Sequence, residues 1–135
     1  MKKLWVFSIF TMLIFTQLSC NSEELDGKWD DNIKLSAKEL IVSSDINSTV
    51  ITTEGRGWWI MDIGLNDNWN YDLSAIDTTQ ENFVIEEDAF TIERKNATEI
   101  HIAMTQNETG QERILVIGLQ AGNYSDGIKI TQTAD

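Results

Sequence analysis

Along the last third of the chain, apolar side chains fall on every second residue. Ile100, Ile102 and Met104 alternate with Glu99, His101 and Ala103. Successive side chains of a strand point to opposite faces, so this period belongs to a half-buried strand and excludes a helix. Arg113–Leu119 is apolar on both faces, which marks a central strand, with Leu115, Ile117 and Leu119 assigned to the core. Ile128–Gln132 alternates again and closes the sheet. Asn107-Glu108-Thr109-Gly110 and Gly122–Gly127 are turns rich in residues that tolerate a positive φ. Upstream, Lys38–Ser43, Ser48–Thr53, Trp58–Ile63, Asn82–Ile85 and Phe90–Glu93 read as further short strands, and Asn66–Gln80 is polar with no clear period. Nothing after Cys20 sustains a helical period. About seven short strands with turn clusters between them predict an all-β, two-sheet sandwich over residues 33–135.

The first 19 residues are of another kind. Lys2 and Lys3 precede a 12-residue, mostly apolar run, Leu4–Phe15. A spanning helix needs roughly 20 apolar residues, so the run reads as the core of a signal peptide over residues 1–19. It ends in Leu18-Ser19-Cys20, which resembles the lipobox of bacterial lipoproteins, where the Cys thiol takes a diacylglycerol before cleavage. That resemblance implies that Cys20 is the acylated first residue of the mature protein, and Cys20 is the only Cys in the sequence. Residues 20–32 are then an acidic tether. Asn21-Ser22-Glu23-Glu24-Leu25-Asp26 resembles the export signal that places lipoproteins on the outer face of the outer membrane in some gut bacteria. The expected location is the outer membrane, lipid-anchored and exposed at the cell surface.

Charge narrows the partners. Without Lys2 and Lys3, 8 of the 10 basic residues remain against all 22 acidic ones, a net charge of −14 over 116 residues. Nucleic-acid affinity comes from Lys and Arg, so no nucleic-acid partner is expected. Contact with the membrane is expected through the lipid anchor alone. One Cys and one His cannot assemble a Cys/His zinc site, and no metal or other cofactor is expected.

Several residues resemble a known family. Arg113-x-x-x-Ile117, preceded by Asn107-x-Thr109-Gly110 and closed by Ile128-x-Ile130-Thr131-Gln132, is similar to the BACON family, with Leu35-Ser36-x-Lys38-Glu39-Leu40 and Trp59-x-x-Asp62-Ile63 fitting its opening strands. The resemblance covers most of residues 33–132. It implies an immunoglobulin-like β-sandwich and a carbohydrate-binding module of bacterial surface proteins.

The aromatic residues carry the candidate site. Sugars stack their C–H faces on indole and phenol rings while their hydroxyls bond amides and carboxylates. Trp69 and Tyr71 stand among Asn66, Asp67, Asn68, Asn70 and Asp72, so one short loop holds both ingredients. Trp58 and Trp59 are adjacent, so in a strand one faces the core and the other the surface. Trp69, Tyr71, Asn68, Asn70 and Trp58 form the candidate ligand-binding set, with Tyr124 in reserve. Trp29, Trp58, Trp59 and Trp69 equally suit a small core, and the sequence leaves both roles open. Asn66, Asn68, Asn70 and Asp72 alternate as calcium ligands do, without the Gly and terminal Glu of an EF-hand loop. The acidic pairs Asp30-Asp31 and Glu86-Glu87-Asp88 suit solvated surface, and no nucleophile–base motif accompanies them, so no catalytic residue is expected. His101, between inward Ile100 and Ile102, is expected to face solvent. The Asn-x-Ser/Thr triplets at Asn47, Asn96, Asn107 and Asn123 read as turn chemistry. The expected function is non-catalytic glycan recognition at the cell surface; the alternative is an adhesion or accessory protein that binds another surface protein.

Overall fold

The computed structural model describes residues 29–135; the signal segment, Cys20 and the tether up to residue 28 lie outside the described residues. Eight strands follow one another: β1 (Glu39–Val42), β2 (Asn47–Thr52), β3 (Trp59–Leu65), β4 (Phe83–Glu86), β5 (Phe90–Lys95), β6 (Glu99–Met104), β7 (Arg113–Ala121) and β8 (Tyr124–Gln132). They form two four-stranded sheets, β1-β8-β7-β3 and β2-β6-β5-β4. Every pairing is antiparallel except that of β1 with β8. The runs β2-β6-β5 and β3-β7-β8 reproduce the B-E-D and C-F-G neighbours of immunoglobulin domains. The protein is an immunoglobulin-like β-sandwich.

The alternation seen in the sequence builds the core. Ile100, Ile102 and Met104 of β6 face Leu115, Ile117, Leu119, Ile128 and Ile130 across the sandwich, all of them buried. Each such side chain contributes about 1.5–3 kcal/mol on leaving water. Strand β7 lies between β8 and β3, as its two apolar faces require, with Ile114 and Val116 half-buried on the outer side. Strand β8, expected to close the sheet, is interior, because β1 adds outside it. It also starts earlier than the turn residues suggest. Gly122 at φ +60° and Asn123 alone make the turn, and Tyr124 already pairs with Ala121.

Buried polar groups brace the two ends. At one end, the Asn107 side chain is fully buried; its Nδ2 donates to the carbonyls of Gln111 and Thr133, and its Oδ1 accepts from Thr109. Arg113 donates to Gln132 Oε1 and to the Thr105 carbonyl, and Gln132 Nε2 donates to the carbonyls of Ser44, Asp45 and Thr105. At the other end, buried Arg94 donates to the carbonyls of Arg56, Trp58, Gln80 and Ala97. Its guanidinium lies 3.7 Å from the centroid of the Trp58 ring. The end of the expected tether already belongs to the domain: Asp31 Oδ1 accepts from the amides of Ile33 and Lys34, and Asn32 donates to the Ala121 carbonyl.

Candidate functional site

The outward faces of both sheets are open, and Trp69 stands on one of them. Strand β3 ends at Leu65, and a tight turn through Asn66 (φ +54°) and Asp67 is closed by Leu65 and Asn68, which exchange backbone bonds of 2.9 and 3.1 Å. The turn is pinned to β7, where Asn66 N donates to the Ile114 carbonyl (2.8 Å) and Asn66 Oδ1 accepts from Ile114 N (2.9 Å). The reversed chain brings Trp69 opposite Gly64. A methyl at Gly64 would stand 2.8 Å from each of three ring atoms, Cδ2, Cε2 and Cε3. Three equal distances mean that the indole lies face-on over the glycine. Only a residue without a Cβ admits a ring this close to the backbone. The other ring face is turned to water, and the residue is 49% exposed.

Around Trp69, Asn68 Oδ1 accepts from Asn70 N (3.1 Å), leaving the Asn68 amide nitrogen as an outward donor, and Asn70 is exposed. Tyr71 differs from the expectation. It is half-buried, and its ring packs edge-on against the core ring of Phe90, with centroids 5.3 Å apart and planes at 67°. Its ring supports the sandwich instead of extending the platform. Leu73 and Ile76 follow it against the core, and buried Thr78 donates to the Ile60 carbonyl on the outer edge of β3 (2.9 Å). The polar 66–80 segment is therefore a strap across one side of the sandwich, with Trp69 on its outer surface.

Trp58 requires a correction. It is 1% exposed, its Nε1 donates to Thr53 Oγ1 and the Gly55 carbonyl, and Arg94 covers its ring. No sugar can reach it. Trp58 shares its parity with buried Ile60, a signal already present in the sequence. The outward member of the pair is Trp59, opposite Gln120. Tyr124 is half-buried, its hydroxyl donating to Asp126 (3.0 Å).

The alternating oxygens of the 66–72 loop do not converge. Asn66, Asn68 and Asp72 each accept a nearby amide, from Ile114, Asn70 and Ser74 respectively. The Ser74 amide holds the Asp72 carboxyl below the usual carboxylate range. Among the described residues no three acidic, His or Cys side chains are grouped as metal ligands. Glu86, Glu87 and Asp88 are exposed at the β4–β5 corner. His101 faces outward from the second sheet, with Nε2 2.7 Å from the Glu99 carboxylate, in a shallow depression of about 130 Å³ shared with Val50, Thr91 and Glu93.

No protein-family model matches the chain, and none of the curated proteins matches it. Solved structures do. A protein of Bacteroides thetaiotaomicron determined by NMR is similar with a TM-score of 0.62 at 20% identity, over 80% of this chain and 92% of that one. At this identity the likeness concerns the fold. Weaker similarity extends to a Bacteroides ovatus GH5 xyloglucanase in complex with a XXXG heptasaccharide (TM-score 0.47, 13% identity, 76% of this chain and 19% of that chain). Titin domain M7 aligns with a TM-score of 0.42 at 8% identity, over 79% of this chain and 99% of that domain.

Proposed function

We propose that the protein is a non-catalytic glycan-binding module of the BACON type, lipid-anchored through Cys20 at the outer face of the outer membrane. The observation that carries this reading is Trp69, a half-exposed indole laid flat on Gly64 by a hairpin pinned to β7. A ring already fixed in place loses little freedom when a sugar stacks on it, and the Asn68 and Asn70 amides beside it can orient hydroxyls. Exposed aromatic surface of this kind is otherwise a liability on a secreted domain. The braces built on Asn107, Arg113 and Gln132 account for the residues of the family resemblance through folding, so the sugar reading rests on Trp69.

Trp69→Ala tests it. The variant of the full-length protein, held in a detergent without a sugar headgroup, should melt as wild type does and lose retention on a glycan array. Tyr71→Ala should lower the melting temperature, because its ring packs on Phe90. Unaltered array binding by Trp69→Ala would overturn the assignment, and a wild type that binds no glycan would favour the protein-partner alternative. For the anchor, Cys20→Ala should abolish incorporation of a fatty-acid probe; equal labelling of the variant would refute lipidation there.

A further inference from the structure

The outer face of the first sheet offers more than one indole. On β3, Trp59, Asp62 and Gly64 all point outward, because a bulge at Met61 restores their common side after inward Ile60. Asp62 lies opposite Gly118, which in turn lies opposite Gly127. The Asp62 carboxylate rests over Gly118, where a methyl would meet its Oδ1 at 1.9 Å. A methyl on Gly127 would meet only the Ile117 carbonyl oxygen, at 3.4 Å. The cross-strand row Asp62-Gly118-Gly127 in the middle of the face therefore carries no side chain but that carboxylate, with exposed Met61 at the edge beside it, between Trp69 at one end and half-buried Trp59 at the other. With the bulge taking up one residue, Trp59 and Gly64 stand opposite Gln120 and Val116, four strand steps or about 13 Å apart. A single sugar ring cannot bridge that span, and a short oligosaccharide can.

Resting on the glycan reading above, we infer that this face binds a linear, uncharged β-1,4-linked oligosaccharide laid along β3 from Trp69 to Trp59, with Asp62 accepting hydroxyl hydrogen bonds from its middle. A ribbon-like chain fits a floor lowered by Gly118 and Gly127, whereas a coiled or bulky branched one does not. Charge selects against polyanions: the full sequence carries −12, and the carboxylate in the middle of the face is Asp62. Among the described residues no side chain is seen donating to that carboxylate, so its acceptor capacity is open to a ligand.

Titration calorimetry of the full-length protein in a detergent without a sugar headgroup distinguishes the possibilities. The probes are cellohexaose, β-1,4-mannohexaose, their disaccharides, maltohexaose and hexagalacturonate. At least one β-1,4 hexasaccharide should bind about tenfold or more tighter than its disaccharide, and hexagalacturonate should not bind. Trp59→Ala and Asp62→Asn should each weaken the hexasaccharide about tenfold and leave the disaccharide nearly unchanged. Gly118→Ala, which displaces the Asp62 carboxylate without touching either indole, should weaken the hexasaccharide at an unchanged melting temperature. Equal affinity for short and long chains, or wild-type binding by Trp59→Ala with loss in Trp69→Ala, would overturn the extended site and leave the Trp69 reading standing. Preference for maltohexaose or hexagalacturonate would overturn the ligand class. No binding to any glycan would remove both readings together.

Discussion

Arg94 shows how much one residue can hold in a domain this small. Among the described residues its guanidinium has no carboxylate partner at bonding distance; instead it gathers carbonyls from four positions, Arg56, Trp58, Gln80 and Ala97, and lies over the Trp58 ring. That arrangement draws the loop before β3, the end of the strap and the β5–β6 turn to one point. Arg94→Met should cost about 3–5 kcal/mol, since part-buried carbonyls lose their donors and the cation–π contact disappears. Lysine will not rescue it, because one ammonium cannot reach all four carbonyls. Denaturant melts of the two variants check this, and a loss under about 1 kcal/mol for either would show that water replaces the guanidinium. The same contact explains why Trp58 is unavailable to a ligand. Its neighbour Trp59 gains the outer face by the alternation of a single strand.

At the scale of strands, alternation sorts mutational cost. Ile117 on central β7 is fully buried, so Ile117→Ala should cost about 2–5 kcal/mol. His101, on the outer face of β6, should lose no more than about 0.5 kcal/mol on conversion to Ala. Urea titrations giving the reverse order would contradict the face assignment. The β6–β8 third was legible from the sequence because burial on one side leaves a period of two. The bounds of β6 follow the pattern to the residue, and the core positions Leu115, Ile117 and Leu119 are where alternation puts them. Less legible were features that depend on partners distant in sequence. The outward turn of Asp62 depends on the Met61 bulge, which no local pattern announces. Tyr71, Leu73 and Ile76 pack inward from a stretch whose polar neighbours hide any period, because a strap follows the surface beneath it and not a strand axis. Trp69 stands out in the sequence for its polar company; that Gly64 makes its bed depends on the turn at Asn66 folding back on β3.

For the whole molecule, acidity governs the response to pH. Asp31 is held below the usual carboxylate range chiefly by the Lys34 amide, with the Ile33 amide and Lys38 adding to it against partial desolvation. Asp77 is lowered likewise, first by the Thr79 hydroxyl. Carboxyls whose pKa is depressed by folding contribute stability that is complete above their ordinary value of about 3.9 and is lost as pH falls through the lower folded value. Melting temperature should therefore hold as pH falls to about 4 and drop below it, with Asp31→Asn flattening that drop; an unchanged slope in the variant would remove Asp31 from the account. The parallel pairing of β1 with β8 has a mechanical consequence as well. With the anchor proposed at Cys20, tension enters ahead of Asp31, passes the bonds that tie residues 33–36 to Thr52, Glu54 and Gly55, and then reaches β1 from its N-terminal end. The β1–β8 bonds, from Lys129 N to the Lys38 carbonyl (2.7 Å) through Thr133 N to the Val42 carbonyl (3.0 Å), are then loaded together in shear and not opened one after another. With the sugar on the outer face of that sheet, as proposed, a cell dragged past a polysaccharide would transmit the force through the same sheet that grips it.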